Sequence, residues 1–518
     1  MATNHEVGSS NLSERATYIF RVLPLGKGYS NKLFRGGNNF SEIYMKIAQV
    51  NISKLFGVFH HSINFNCEER ITIIHGPNGV GKTILLTMLF DLFTRDHFNI
   101  FFKVPFEEFG IKFDNGFFFS IKKLEKIEKQ SELEQLRLLH QHAIYKDGLQ
   151  RVTQSLHIQH KDKKGKNLFS FDISEDSLKS YKALNHPEQL RYIRRFIRNN
   201  IPELEEITPR YWINIKSGER LSIEDIHNKY NFASIFEEVD KFNNFKELVN
   251  CINIQLIETQ RLLKLDKKKI ESSSYLRSSE VEEDYSYTVE LYSEKLARSI
   301  RDYRDKYAAL TQRLDRSFPL KLLERKAKEA KTPNELKEKL REVEKSRKQL
   351  IEIGLLDEEE GHNFTSMLDK IKIDNTAVLT VYAEDMEQKL QVFRELAEKI
   401  ELFKEIIDKK FRYKVLKFGK SFGFTFYTAE GKHLSLKDLS SGEQHEIVLL
   451  YELLFNIKPN SLILIDEPEL SLHVAWQREF LKDLQRISKL SDLSFLIATH
   501  SPAIIADRWD LTVELSGE

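Results

Sequence analysis

A short apolar run, Ile71-Thr-Ile-Ile-His75, opens into Gly76-Pro-Asn-Gly-Val-Gly-Lys-Thr83, and an apolar helical stretch follows through Ile84, Leu85, Leu86, Met88, Leu89 and Leu92. The spacing G-x-x-x-x-G-K-T between a strand and a helix constrains this chain more than any other feature. Its glycines let main-chain N–H groups turn toward one point, and the helix N-terminus adds its positive dipole end there. Gly76, Pro77, Asn78, Gly79, Val80 and Gly81 are therefore expected to cradle the phosphates of ATP. Lys82 is expected to reach the β- and γ-phosphates, and the Thr83 hydroxyl to ligate Mg²⁺.

With 518 residues the chain exceeds a single compact core, so more than one structural unit is expected. Charged residues make up 30% and hydrophobic ones 41%, with only 21 Gly and 11 Pro, a balance that suits a soluble protein with long solvated helices. No apolar run approaches the roughly 20 residues of a membrane span, and the polar N-terminus lacks the apolar core of a signal peptide. Cys67 and Cys251 form no C-x-x-C, so neither disulfides nor zinc is signalled. These features point to a reducing cytoplasm. The net charge of +1 neither demands nor excludes nucleic acid.

Residues 1–40 are rich in Gly, Ser and Asn and read as an arm, ordered only where it docks. Ile47 to Phe65 reads as a hairpin leading into the Ile71 strand, with Phe56 or Phe59 available either to the core or to an adenine ring. A charged helix is expected from about Lys122 to His142. Leu156 to Phe171 reads as a hairpin whose tip, Lys161-Asp-Lys-Lys-Gly-Lys166, can touch phosphates or simply be solvated. Residues 187–200 read as a basic amphipathic helix carrying Arg191, Arg194, Arg195 and Arg198, a second stretch that can be solvated or meet nucleic acid. The pairs His60-His61 and His157/His160 lie in hairpins without an acid cluster and are expected at the surface, so no nuclease constellation is expected in this chain.

Beyond the strand Cys251 to Ile257 the character changes. Leu296, Ile300, Tyr303, Tyr307, Leu310 and Leu314 alternate spacings of four and three, a heptad seam on a helix expected to stop before Pro319. Thr332-Pro-Asn-Glu335 supplies an N-cap, a first-turn proline and a capping-box glutamate for a second helix. A third helix is expected from about Ala377 to Phe411. Their apolar stripes must bury against each other, so residues 263–413 are expected as an antiparallel coiled-coil bundle. It separates an N-terminal lobe, 41–262, from a C-terminal lobe, 414–518.

The C-terminal lobe carries the remaining chemistry. Leu439-Ser-Ser-Gly-Glu-Gln444 opens an amphipathic helix and forms a second anion-binding N-terminus. Ser461-Leu-Ile-Leu-Ile-Asp466-Glu467 is an apolar strand ending in two acids. Asp466 suits Mg²⁺, and Glu467 is placed to polarise an attacking water. A last strand, Ser494 to Ala498, ends in Thr499-His500-Ser501-Pro502, where His500 is expected to sense the γ-phosphate.

Taken in order, the phosphate loop, L-S-S-G-E-Q, I-D-E-P-E-x-S-L-H and T-H-S-P resemble the ABC-type ATPase heads of SMC, RecF and OLD proteins. The resemblance covers residues of about 45–93 and 413–515. It implies an α/β head, a mixed sheet with flanking helices, interrupted by an inserted antiparallel helical coiled-coil bundle. It further implies that Ser440 and Gly442 of one head face the γ-phosphate held by another, with Ser471 and His473 in a loop crossing that interface. The family's glutamine, which contacts nucleotide and metal, is matched by Gln260, with rivals between Gln130 and Gln159. Within the superfamily, Leu439 to Phe455 and Pro468 to Gln477 are most similar to ATPases of bacterial anti-phage systems, the Septu family (PtuA) in its stand-alone or retron-associated form. That likeness implies a homodimer or higher homo-oligomer, an HNH nuclease partner (PtuB), and in retron systems a reverse transcriptase with its msDNA. With about 18 residues after His500, no Toprim nuclease is expected as in OLD or Gabija ATPases. The alternative implied by the same resemblance is a RecF- or SMC-like DNA-repair ATPase that clamps DNA.

Overall fold

In a computed structural model of the chain, the described residues are 45–94, 98–127, 152–174, 194, 197–198, 201–208, 211–222, 225–226, 229, 245, 248–258, 285–324, 332–357 and 376–516. The expected arm at residues 1–40 lies outside the described residues.

In chain order, β1 (Ile47–Leu55), β2 (Phe59–Asn64) and β3 (Ile71–His75) are followed by α1 (Lys82–Phe93) and α2 (Asn99–Lys103). Next come β4 (Glu108–Phe113), β5 (Phe118–Ile127), β6 (Val152–Lys161), β7 (Asn167–Ser174), β8 (Leu204–Thr208), β9 (Tyr211–Asn214), β10 (Arg220–Ser222) and β11 (Asn253–Glu258). The helices α3 (Tyr285–Glu324), α4 (Pro333–Glu352), α5 (Thr376–Gln391) and α6 (Arg394–Lys410) lead into β12 (Lys414–Gly419), β13 (Gly423–Thr428) and β14 (His433–Leu434). The chain closes with α7 (Ser441–Tyr451), β15 (Ser461–Asp466), α8 (Val474–Ser491), β16 (Ser494–Ala498), α9 (Pro502–Ile505) and β17 (Thr512–Glu514).

The central sheet has the order β11-β15-β16-β3-β17, and every pair in it is parallel. A parallel sheet is covered on both faces, which is why its strands are apolar at nearly every position. The alternation sorts them cleanly. Ile71, Ile73, Ile463, Ile465, Phe495 and Ile497 face one core, shared with α3, α6 and α7. Ile74, Leu462, Leu464, Leu496 and Ala498 face the other, shared with α1 and the antiparallel sheet β2-β1-β4-β5-β6-β7. The architecture is thus an α/β head carrying a helical insert. Leu296, Ile300, Phe403 and Ile407 of the insert belong to the same core as the sheet, whereas Leu336, Leu340 and Ala383 form a small cluster further along.

Four expectations are corrected. The helix α3 runs through Pro319 rather than stopping before it. A proline inside a helix costs about 3 kcal/mol. Here Lys389 pairs with Asp315 at 2.9 Å on one side of it and Lys321 with Asp385 at 2.5 Å on the other, clamping both halves to α5. The expected third helix is two, α5 and α6. The ladder tightens at Phe393, whose amide bonds to Leu390 O, as its buried ring packs against Tyr307. Lys122 to Ile127 are strand, not helix, because each pairs with a residue of β6, and that pairing overrides the helical look of the charges. His61 and His160 are buried, not at the surface, since strand alternation turns both inward. The basic stretch 187–200 is described only at Arg194, Ile197 and Arg198, which are helical; both arginines are paired with Glu206.

Candidate nucleotide site

The register of the parallel sheet decides the geometry of the site. Asp466 stands opposite Ala498, Ala498 opposite Ile74, and Ile74 opposite Val513. The loops leaving β3, β15 and β16 therefore emerge together at the C-terminal edge, where α/β sheets bind ligands.

The loop after β3 carries the sequence expected of a phosphate loop. Gly76 and Gly81 are required by both torsion and space. Both have positive φ, and a Cβ would lie 2.4 Å from Leu515 O at Gly76 and 2.4 Å from a Leu55 methyl at Gly81. Among the described residues, nothing lies within 4 Å of the place a Cβ would take at Gly79. Lys82 is buried and donates to Gly76 O at 2.9 Å and Pro77 O at 3.0 Å. Burial lowers the pKa of its ammonium, against the pull of the Glu467, Asp466 and Glu469 carboxylates around it. Thr83 is exposed one position further on.

At the end of β15 the chain turns sharply. Glu467 adopts φ 46°, ψ 57°, a left-handed conformation that non-glycine residues rarely hold. Its N–H is tied to Ala498 O at 2.8 Å, which fixes the turn against the neighbouring strand. The carboxylate lies 3.8 Å from His500 Nε2. The His500 loop is itself held. Thr499 N–H donates to Ile74 O at 3.1 Å, and both Glu469 oxygens accept from Thr499 Oγ1 at 2.8 Å. The His500 N–H also donates to Glu469, at 2.8 Å. Ser501 Oγ donates to Gln477, whose amide in turn donates to Glu469 O and Leu472 O.

The fold thus brings together Gly76 to Thr83, Asp466, Glu467 and His500. It leaves Ser440 and Gly442 at the exposed N-terminus of α7. Ser440 caps that helix through a reciprocal box with Glu443, and a Cβ at Gly442 would meet nothing within 4 Å. Lys414 grips both oxygens of Glu443 at 2.6 Å. Burial alone would raise the Glu443 pKa, but the hydrogen bonds from Lys414 and Ser440 bring it below the ordinary value. Ser471 Oγ bonds to Pro468 O at 3.3 Å, and His473 Nδ1 caps α8. Gln260 lies outside the described residues; β11 leads toward it from Glu258, in register with Asp466.

Two groups at this site are not legible from motif spacing. Glu469 organises the His500 loop, and its signal is the second acid of E-P-E. His61 of β2 donates from Nε2 to Val80 O of the phosphate loop at 2.8 Å, since a carbonyl can only accept. Its ring stacks on Phe59 at 5.9 Å. The set fits Mg²⁺ with a nucleoside triphosphate. Mg²⁺ keeps waters and phosphate oxygens and needs only one or two hard protein oxygens, which Thr83 and Asp466 can supply.

A family model described as "AAA ATPase domain" matches residues 45–505. Among solved structures, the chain is similar to the Smc head domain with an extended coiled coil, bound to the C-terminal domain of ScpA, from Pyrococcus furiosus. The identity is 12% over 89% of this chain and 91% of that one, with a TM-score of 0.31. The Thermotoga maritima SMC head domain shows 11% identity over 89% and 91%, with a TM-score of 0.27. At such low scores these likenesses carry no weight for function. The chain belongs to the AAA ATPase domain family.

Proposed function

We propose that this AAA ATPase domain protein binds and hydrolyses Mg²⁺·ATP, and that ATP-dependent pairing of two heads controls a separately encoded nuclease in an anti-phage system. The reading rests on one observation above all. The phosphate loop, Asp466, Glu467 and His500 share one sheet edge, while the signature residues sit at an exposed helix end, with no bond to that edge among the described residues. A second copy of the head would bring Ser440 and Gly442, with Ser471 and His473, to the first copy's nucleotide.

In this reading the N–H groups of residues 76–83 and the Lys82 ammonium hold the β- and γ-phosphates, and Thr83, Asp466 and Gln260 hold the metal. Mg²⁺ held there would neutralise charge developing on the phosphate oxygens. Glu467 orients the attacking water and takes its proton, and its constrained turn keeps the carboxylate on the nucleotide side. His500 contacts the γ-phosphate from a loop that Glu469 holds in place. The likeness to Septu ATPases supports a cytoplasmic complex with an HNH nuclease, and with a reverse transcriptase and msDNA where a retron is present. The chain alone would hydrolyse ATP and leave nucleic acids intact.

The test compares wild type, Lys82→Ala and Glu467→Gln. Lys82→Ala should weaken ATP binding about 100-fold or more, as expected for loss of buried charge-assisted contacts. Glu467→Gln should bind ATP normally, hydrolyse it about 10²–10⁴-fold more slowly and accumulate as paired heads on a sizing column. Undiminished hydrolysis by Glu467→Gln would remove that residue from its role. Cleavage of DNA by the homogeneous chain would overturn the regulatory-subunit reading.

A further inference from the structure

The tip of the β6–β7 hairpin lies apart from the nucleotide site and is built differently from the rest of the surface. Several cations elsewhere on this sheet are engaged: Lys54 with Glu107, Lys122 with Glu108, and Lys123 with the carbonyls of Phe102 and Val104. At the tip they are not. Lys161, Lys163, Lys164 and Lys166 occupy one six-residue turn, and none is paired with a carboxylate among the described residues.

The nearest acids, Asp162 and Asp114, bond to main-chain N–H groups rather than to these lysines, and their two charges leave the cations in excess. Asp162 spends one carboxylate oxygen on the backbone N–H groups of Lys164 and Lys166, both at 2.9 Å. Asp114, in the adjoining β4–β5 turn, accepts the Lys46 N–H at 3.1 Å. The Asp162 bonds, with Asp162 N–H to Lys166 O and Gly165 N–H to Asp162 O at 2.9 Å each, brace the turn internally. The positive charge is therefore presented on a hydrogen-bonded turn.

Sheet register adds a fifth cation. Lys112 of β4 stands opposite Phe118 of β5, and Phe118 opposite Lys161 of β6. Residues directly opposite one another share a face, so Lys112 and Lys161 stand about 10 Å apart on the same side. Lys112 likewise lacks a carboxylate partner among the described residues. The other face of the same strands, with Ile111, Phe119 and His160, is buried.

We infer that this five-lysine corner, Lys112, Lys161, Lys163, Lys164 and Lys166, is a docking surface for the phosphodiester backbone of duplex DNA. Five lysines without a carboxylate partner, in excess over Asp162 and Asp114 and held on a hydrogen-bonded turn, match a polyanion, and long lysine stems can follow phosphates without reading sequence. Phe118, the aromatic between Lys112 and Lys161, is half-buried in the sheet, so the corner offers no open stacking platform for unpaired bases. The surface is independent of the ATP site, and its test does not depend on hydrolysis.

The experiment measures binding of the full chain to a labelled random-sequence DNA duplex by fluorescence anisotropy across a salt series. It compares wild type with Lys163→Glu/Lys164→Glu/Lys166→Glu and with the milder triple Lys→Gln variant. Each phosphate contact contributes about 0.9 to the slope of log K against log salt. The neutral triple should therefore flatten that slope by about 2.7 and weaken binding about 100-fold or more at 0.1 M salt. Circular dichroism and ATP hydrolysis should match wild type in both variants. The proposal is overturned if wild type fails to bind duplex DNA, or if the well-folded variants bind it equally. It is also overturned if only single strands respond to the substitutions, or if the variants keep DNA and lose an acidic protein partner instead.

Discussion

His160 offers a quantitative test of how the antiparallel sheet is packed. Its ring packs on Phe117, stacked at 5.5 Å, and on Phe169 at 5.2 Å, and Nδ1 has no hydrogen-bond partner among the described residues. Burial disfavours the imidazolium and pushes the pKa down from 6.5 to about 4. The unfolded chain takes up a proton near 6.5, whereas the folded chain resists until about 4. Between these values the unfolded state binds more protons, so stability falls as pH falls through this window and levels off below it. Lowering the pH from 7 to 5 should cost the sheet about 2 kcal/mol, or about 20-fold in opening. Amide hydrogen exchange of β5, β6 and β7, corrected for intrinsic rates, reads this directly. His160→Phe retains a stacked ring and should abolish this part of the pH dependence, whatever offset it adds at neutral pH. An unchanged pH dependence in the variant would show that His160 is not held neutral and that the packing argument fails.

Three further outcomes are expected. Glu469→Ala removes the acceptor of the Thr499 hydroxyl and the His500 N–H, and should lower kcat about 10- to 100-fold with little effect on ATP binding; a proportionate loss of ATP affinity would contradict its assignment to the His500 loop. His61→Phe keeps the ring but removes the donor to Val80 O, and should weaken ATP binding by about 1–3 kcal/mol through a looser phosphate loop; His61→Gln should recover part of it in the same titration. Asp357, held to about 2 by hydrogen bonds from Arg304 and Lys420, contributes stability that is fully present above about pH 4 and lost as pH falls through about 2. Asp357→Asn should therefore lower the melting temperature at pH 7 and converge with wild type near pH 2, and parallel curves would refute the ion-pair account.

The local geometry of the candidate site was legible in the sequence because it depends on consecutive residues. A phosphate loop is a set of consecutive torsions and N–H groups, so Gly76 to Thr83 can be read without knowing what lies across from them. The same holds for the capping box at Thr332, which the structure contains, and for the strands that end at Asp466 and Ala498. Tertiary structure decided whatever depends on partners distant in sequence. Pro319 stays inside a helix because ion pairs to α5 hold it on both sides. The charges at Lys122 to Lys126 lie on a strand because β6 pairs with them. His61 becomes a support of the phosphate loop because the antiparallel sheet folds under Val80. Lys410, at the end of α6, is buried where Glu446 of α7 and Asp483 of α8 converge on its ammonium, a contact that no periodicity in any one helix announces. Sequence pattern specifies torsions and which face of an element is apolar. Which face meets which is settled only when the whole chain has buried both sides of its parallel sheet.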